Sequence, residues 1–127
     1  MDTEKNRTIL AIDDSNTNIV LLQAVLNGKG YKIETALSVK EAYNIMNRNM
    51  PDLILLDLLM PRINGYDFLK EIKAGTKTKD IPVIVISALT DQENINKAMA
   101  LGAHDFIKKP VDILKLVELV ASIIKNH

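Results

Sequence analysis

The chain switches repeatedly between two hydrophobic rhythms. Short apolar runs fall at 8–12, 32–35, 53–56, 83–86 and 106–107. Within three of them, 9–12, 53–56 and 83–86, every residue is apolar. A strand that is apolar on both faces belongs in a parallel sheet covered by helices on both sides. Between the runs, apolar residues recur every three or four positions. The sets are Ile19, Leu22, Val25 and Leu26; Val39, Ala42, Tyr43 and Met46; Phe68, Leu69 and Ile72; Ile95, Ala98 and Met99; and Ile113, Leu116, Val117, Val120 and Ile124. Each set draws one apolar stripe along a helix. Gly28 and Gly30 end the first helix, and Ser38 with Glu41 is a capping-box signature ahead of the second. Asn64-Gly65 turns into the third, Gly102 follows the fourth, and Asp112 is placed to cap the fifth. Strand then helix, five times over, predicts right-handed crossovers and a doubly wound α/β sheet between two helical layers. No repeat, linker or low-complexity stretch interrupts the pattern, so 1–127 reads as one domain with its core over about 7–124.

In such folds ligands sit outside the carboxyl ends of the strands. Asp13 and Asp14 follow the first apolar run, Asp57 the third, Ser87 the fourth, and Lys108, Lys109 and Pro110 the fifth. The second run ends in Thr35-Ala36, which suits a strand at the rim of the sheet. Strand ends are wet, and any one of these polar residues alone reads as ordinary surface. Together they do not. Asp57 lies between Leu53-Ile54-Leu55-Leu56 and Leu58-Leu59-Met60, where an uncompensated carboxylate is costly. Asp13 and Asp14 would add like-charge repulsion. A divalent cation relieves that repulsion, and an all-oxygen site suits a hard ion such as Mg²⁺. Lys109 would offset a further charge.

Composition narrows the chemistry. The 127 residues are 47% hydrophobic and 25% charged, as in an ordinary globular domain. Sixteen basic residues balance sixteen acidic ones, which is neither the footprint of a nucleic-acid binder nor a polybasic surface for anionic lipid. There is no cysteine, so thiol catalysis and Cys-based zinc sites are excluded; its absence suits a reducing compartment, and the expected location is the cytoplasm. The apolar runs are far shorter than the roughly 18 residues a membrane span needs. The first seven residues mix both charges, unlike a signal peptide. No histidine stands at a strand end, which removes a Ser-His-Asp triad; His104 and His127 read as surface residues. No G-x-G-x-x-G follows the first strand, and Asp13-Asp14 would repel a phosphate cradled there, so dinucleotide and flavin sites are disfavoured. Metal-assisted phosphoryl transfer onto a carboxylate remains, with metal and lysine neutralising the phosphoryl oxygens.

Four motifs in order carry a resemblance. They are Ile12-Asp13-Asp14; Asp57-Leu58-Leu59-Met60-Pro61 with Asn64-Gly65; Ser87-Ala88; and the nine residues from Gly102 through Asp105-Phe106-Ile107-Lys108-Lys109-Pro110. The chain resembles the receiver domain of two-component response regulators, the CheY-like superfamily. The resemblance implies a flavodoxin-like (βα)5 fold with parallel strand order 2-1-3-4-5. It implies a phosphorylation-activated signalling switch that takes a phosphoryl group from a phosphohistidine of a sensor kinase or phosphotransfer protein. By the same resemblance Asp57 is the phosphoacceptor. Asp14 and Asp57 ligate Mg²⁺ together with the backbone carbonyl of Leu59, while Asp13 acts mainly through water. Ser87 is the switch hydroxyl, with Ala88 beside it and Lys109 on the phosphate. Phe106 is the switch aromatic, with plain core packing as the competing reading, and Lys108 faces solvent. The Lys109–Pro110 bond is expected to be cis.

Three departures stand out. Phe106 lacks a hydroxyl, and Leu59 and Leu89 are apolar where such receivers often carry polar groups. The two leucines point to a long phosphate lifetime. The domain is expected to be a regulatory phosphoacceptor, assisting its own phosphorylation and dephosphorylation, and not an enzyme. A phosphatase of the aspartyl-phosphate type would need a second Asp where Leu59 stands. The completeness of the polar set argues against an interaction module with an idle pocket. A phosphorylation-dependent homodimer is expected through the fourth helix, fifth strand and fifth helix, because Leu114 and Leu119 widen the last apolar stripe beyond what one sheet face needs. No direct nucleic-acid or membrane contact is expected. Segments 14–18 and 81–112 are similar to receivers in hybrid kinases or joined to cyclic-dinucleotide enzymes.

Overall fold

The elements follow the two rhythms. They run β1 (Thr8–Ile12), α1 (Asn16–Asn27), β2 (Lys32–Ala36), α2 (Val39–Arg48), β3 (Leu53–Asp57), β4 (Leu59–Met60), β5 (Ile63–Asn64), α3 (Gly65–Ala74), β6 (Val83–Ser87), α4 (Gln92–Ala100), β7 (Asp105–Lys108) and α5 (Ile113–Lys125). This computed structural model describes residues 7–13, 15–60, 63–88 and 91–125, with backbone alone at 16, 18, 59, 60, 63 and 64. Five strands form one parallel sheet in the order β2-β1-β3-β6-β7. With the short β4–β5 hairpin set aside, this is the 2-1-3-4-5 order. The three runs without polar residues became the interior strands β1, β3 and β6, buried along their whole length. The mixed runs became the edges β2 and β7, which keep exposed or half-exposed residues.

Alternate strand residues feed opposite faces, and the chain builds two cores. On one face Leu10, Ile12, Ile54, Leu56, Val83 and Val85 pack with Ala42, Phe68 and Ala98 from α2, α3 and α4. On the other, Ile9, Ala11, Leu53, Leu55, Ile84 and Ile86 pack with Leu22, Leu116 and Val120 from α1 and α5. Tyr43 meets Phe68 edge-on at 5.4 Å between ring centroids, which ties α2 to α3. Among the described residues no helix is long and apolar enough to cross a membrane.

Several local expectations are refined. The main-sheet strands extend to Ala36, Asp57, Ser87 and Lys108, so the carboxylate and the hydroxyl are terminal strand residues and not loop residues. The antiparallel hairpin of β4 and β5 follows Asp57; its arms are too short to show a period. Ser38 accepts from the Glu41 N–H at 3.1 Å as expected of a cap, but Glu41 reaches back one residue further, accepting from the Leu37 N–H at 3.3 Å. Asp112 caps α5 by accepting from the Lys115 N–H at 3.2 Å. Gly102 ends the α4 turn with φ +105°, which favours glycine. The apolar stripe of α5 is corrected in one respect: Leu119 is half-buried against the second core, whereas Leu114 is 76% exposed. On α5, Leu114 and not Leu119 carries the exposed apolar surface.

Candidate functional site

Sheet register brings the polar residues to one edge. Ile12 pairs with Leu56, so the next residues, Asp13 and Asp57, lie level on adjacent strands. Asp57 pairs with Ile86, and Ser87 with Lys108. Asp13 extends the ladder by donating its N–H to the Ala36 carbonyl at 3.1 Å, and Lys109 does so by donating to the Ser87 carbonyl at 2.9 Å. Each residue is thus held by backbone pairing before its side chain makes any contact.

The side chains then converge. Lys109 Nζ donates to Asp57 Oδ2 at 3.2 Å and to Asp13 Oδ2 at 3.3 Å. The other oxygen of Asp13 accepts from the Ser15 N–H at 2.9 Å, at the entry to α1. Asp13 is 4% exposed, Asp57 3% and Ser87 fully buried. Burial works against the charge on Lys109, but Asp57 and Asp13 outweigh it and hold the ammonium above its ordinary value. Among the described residues two nearly buried carboxylates face one ammonium, a surplus of acidic groups. Hard carboxylate donors with such a surplus fit a cation of the Mg²⁺ type. The Leu59 carbonyl lies on β4, two residues past Asp57. Among the described residues no three His, Asp, Glu or Cys side chains group as a metal site. Asp14, expected as a direct ligand, lies outside the described residues, as does Leu89.

The remaining predicted residues take these places. Ala88 is exposed in the bend just after Ser87. Phe106 pairs with Val85 and is half-buried against the first core. Lys108 is exposed. The Lys109–Pro110 bond is cis.

Two features were not singled out from the sequence. The first is an apolar wall: Leu21, Leu22, Ile86 and Val111 line a partly open cavity of about 20 Å³ beside Asp13 and Lys109. Leu22 and Ile86 were legible as core, whereas Leu21 and Val111 fall outside the helical and strand stripes. The second is Gly65. A Cβ there would stand 2.7 Å from Leu58 Cα and 3.2 Å from the Asp57 carbonyl oxygen, so α3 begins in direct backbone contact with the segment leaving Asp57. The Asn64-Gly65 pair signalled a turn but not this close approach.

Comparison with known proteins agrees with this geometry. The family model of the response regulator receiver domain matches residues 9–121. The chain is 36% identical over 115 residues to response regulator PleD of Caulobacter vibrioides, covering 91% of this chain and 25% of that protein. It is 34% identical over 123 residues to response regulator SaeR of Staphylococcus aureus, covering 94% of this chain and 53% of that protein. It therefore spans about a quarter and about half the length of these relatives. Among solved structures, a response regulator from Chloroflexus aurantiacus superposes with TM-score 0.88 at 32% identity, covering 94% of this chain and 98% of that one. The chemotaxis protein CheY4 of Vibrio cholerae does so with TM-score 0.86 at 26% identity, covering 93% and 98%.

Proposed function

The chain belongs to the response regulator receiver family, and from that membership we propose that it is a phosphorylation-activated switch that accepts a phosphoryl group on Asp57. The family is a regulatory switch of two-component signalling with the CheY-like, flavodoxin-like fold. The donor in this reading is a phosphohistidine of a sensor kinase or phosphotransfer protein, in the cytoplasm. The observation that carries it is the Lys109 ammonium shared between the buried carboxylates of Asp57 and Asp13. Among the described residues it puts a nucleophilic carboxylate and a fixed cation side by side at this sheet edge.

In the transfer, an oxygen of Asp57 forms a bond to phosphorus as the phosphorus–nitrogen bond of the donor breaks, and the imidazole leaves with that electron pair. Lys109 is held in place to donate to a phosphoryl oxygen as charge develops there. Asp13, Asp14, Asp57 and the Leu59 carbonyl would hold Mg²⁺, which supplies further charge neutralisation when bound. Ser87 at the end of β6 closes onto the phosphoryl group with its hydroxyl, next to the Ala88 backbone. Phe106, paired to Val85 on the same strand as Ser87, is the aromatic that follows this movement. The shift reaches the surface formed by α4, β7 and α5, where exposed Met99 and Leu114 provide apolar area for a second copy of the chain. This receiver role is proposed for the chain as a whole, 1–127, with neither DNA nor membrane as a direct partner.

Incubation with Mg²⁺ and acetyl phosphate should add one acid-labile phosphoryl group, and Asp57→Asn should take none. Equal labelling of Asp57→Asn and wild type would overturn the assignment.

A further inference from the structure

Tyr66 stands one residue past Gly65, whose backbone contact with Leu58 and Asp57 anchors it to the segment leaving the acceptor. From there its hydroxyl crosses to α4 and donates to Asn94 Oδ1, and it also lies 3.5 Å from the Asn94 main-chain oxygen. Asn94 Nδ2 in turn donates to Asp91 Oδ1 at 2.6 Å. Asp91 is the N-cap residue of α4. Its bond from the Asn94 side chain, with smaller help from the backbone N–H groups of Asp91 and Asn94, holds its carboxyl below the ordinary value. Lys97, one turn further along α4, places Nζ 4.2 Å from the centre of the Tyr66 ring.

The chain from Ser87 reaches Asp91 in four residues. Its near end is fixed by β6 and its far end by this string of bonds. The start of α3, in contact with Leu58 beside Asp57, and the first turn of α4, four residues past Ser87, are therefore tied to each other. We propose that Tyr66 is a positioning residue for phosphoryl transfer: through Asn94 and Asp91 it holds the first turn of α4, four residues past Ser87, against the start of α3 beside Asp57. The inference rests on Asp57 as acceptor and Ser87 as the closing hydroxyl. It adds a residue that touches neither phosphorus nor metal and acts through the first turn of α4. Alignment of reacting and stabilising groups is a large share of catalytic advantage, so loosening this tie slows transfer without removing any group from the pocket.

The test uses Tyr66→Phe, Asn94→Ala and the double variant. Tyr66→Phe removes the hydroxyl but keeps the ring under Lys97. A net hydrogen bond corresponds to about 2- to 10-fold in an equilibrium. Each single variant should therefore take label from acetyl phosphate about 2- to 10-fold more slowly. The Mg²⁺ concentration for half-maximal labelling should stay at the wild-type value, while the thermal midpoint should fall by no more than the few degrees that one hydrogen bond accounts for. Because both residues act along one string, the double variant should be no slower than the slower single. Hydrogen exchange of the first-turn amides of α4 should rise by a similar factor in Tyr66→Phe. The inference is overturned if the single variants label at the wild-type rate, or if their effects multiply in the double variant. Wild-type protein that takes no label would instead sink the reading of Asp57, which separates the two failures.

Discussion

Lys109 donates to Asp57 at 3.2 Å across 52 residues of sequence, and the same ammonium reaches Asp13 at 3.3 Å across 96. The pair lies in a pocket whose carboxylates are almost fully buried, so it is not an ordinary surface ion pair. Because its two carboxylate partners outweigh burial, Lys109 titrates above its ordinary value of 10.5. The sign follows from linkage. A group whose folded value is raised contributes stability that is fully present below the unfolded value and lost as pH rises through the folded one. In metal-free buffer the stability difference between wild type and Lys109→Met should be constant from pH 7 to about pH 10, then shrink at higher pH. Urea unfolding across that series measures it; a difference that grows with pH contradicts the assignment.

Gly65→Ala should distort the segment next to the acceptor. The added Cβ would meet Leu58 Cα at 2.7 Å, a backbone atom that cannot swing away. Overpacking of this kind costs about 1–3 kcal/mol. Gly28→Ala is the matched control, since its Cβ would meet only Ala24 and Val25 carbonyls at 3.4 Å. Urea midpoints should separate the two variants, and acetyl phosphate labelling should slow only in Gly65→Ala.

Phosphate lifetime should respond to positions 59 and 89. Neither leucine can orient a water or accept its proton, whereas positioned polar groups contribute about 10²-fold or more to such steps. Leu59→Asn, and more so Leu59→Asn with Leu89→Glu, should lose label faster than wild type once the phosphodonor is removed. Decay at the wild-type rate in folded, fully labelled variants would show that lifetime is set elsewhere.

Leu114 and Leu119 should behave oppositely on α5. Leu114→Glu, at an exposed site, should change stability by less than about 0.5 kcal/mol and weaken any association induced by phosphorylation. Leu119→Glu places a charge where the side chain packs on the second core and should cost about 1–3 kcal/mol. Sedimentation with and without acetyl phosphate, alongside urea unfolding, distinguishes them. Unchanged association in Leu114→Glu would exclude that residue from the contact.

Much of the fold was readable because its signals are local. Continuous apolar runs marked β1, β3 and β6 as interior strands, since only a strand covered on both faces needs apolar residues at successive positions. The caps at Ser38 and Asp112 lie within a few residues of the groups they bond. The polar residues of the site were readable for a related reason: a carboxylate such as Asp57, directly after four apolar residues, is out of place unless something compensates it.

What compensates it was decided only by the tertiary structure. The bonds from Lys109 to Asp57 and Asp13 depend on the register of β3 against β1 and β6, and of β6 against β7, which is set by packing summed over both sheet faces. The same holds for the tie from Tyr66 to Asn94, which joins two helices whose stripes show only where each meets the sheet. It holds as well for Leu114 facing solvent while Leu119 faces the core. Periodicity states that a helix has an apolar side; how far round that side is covered depends on neighbours that no local window contains.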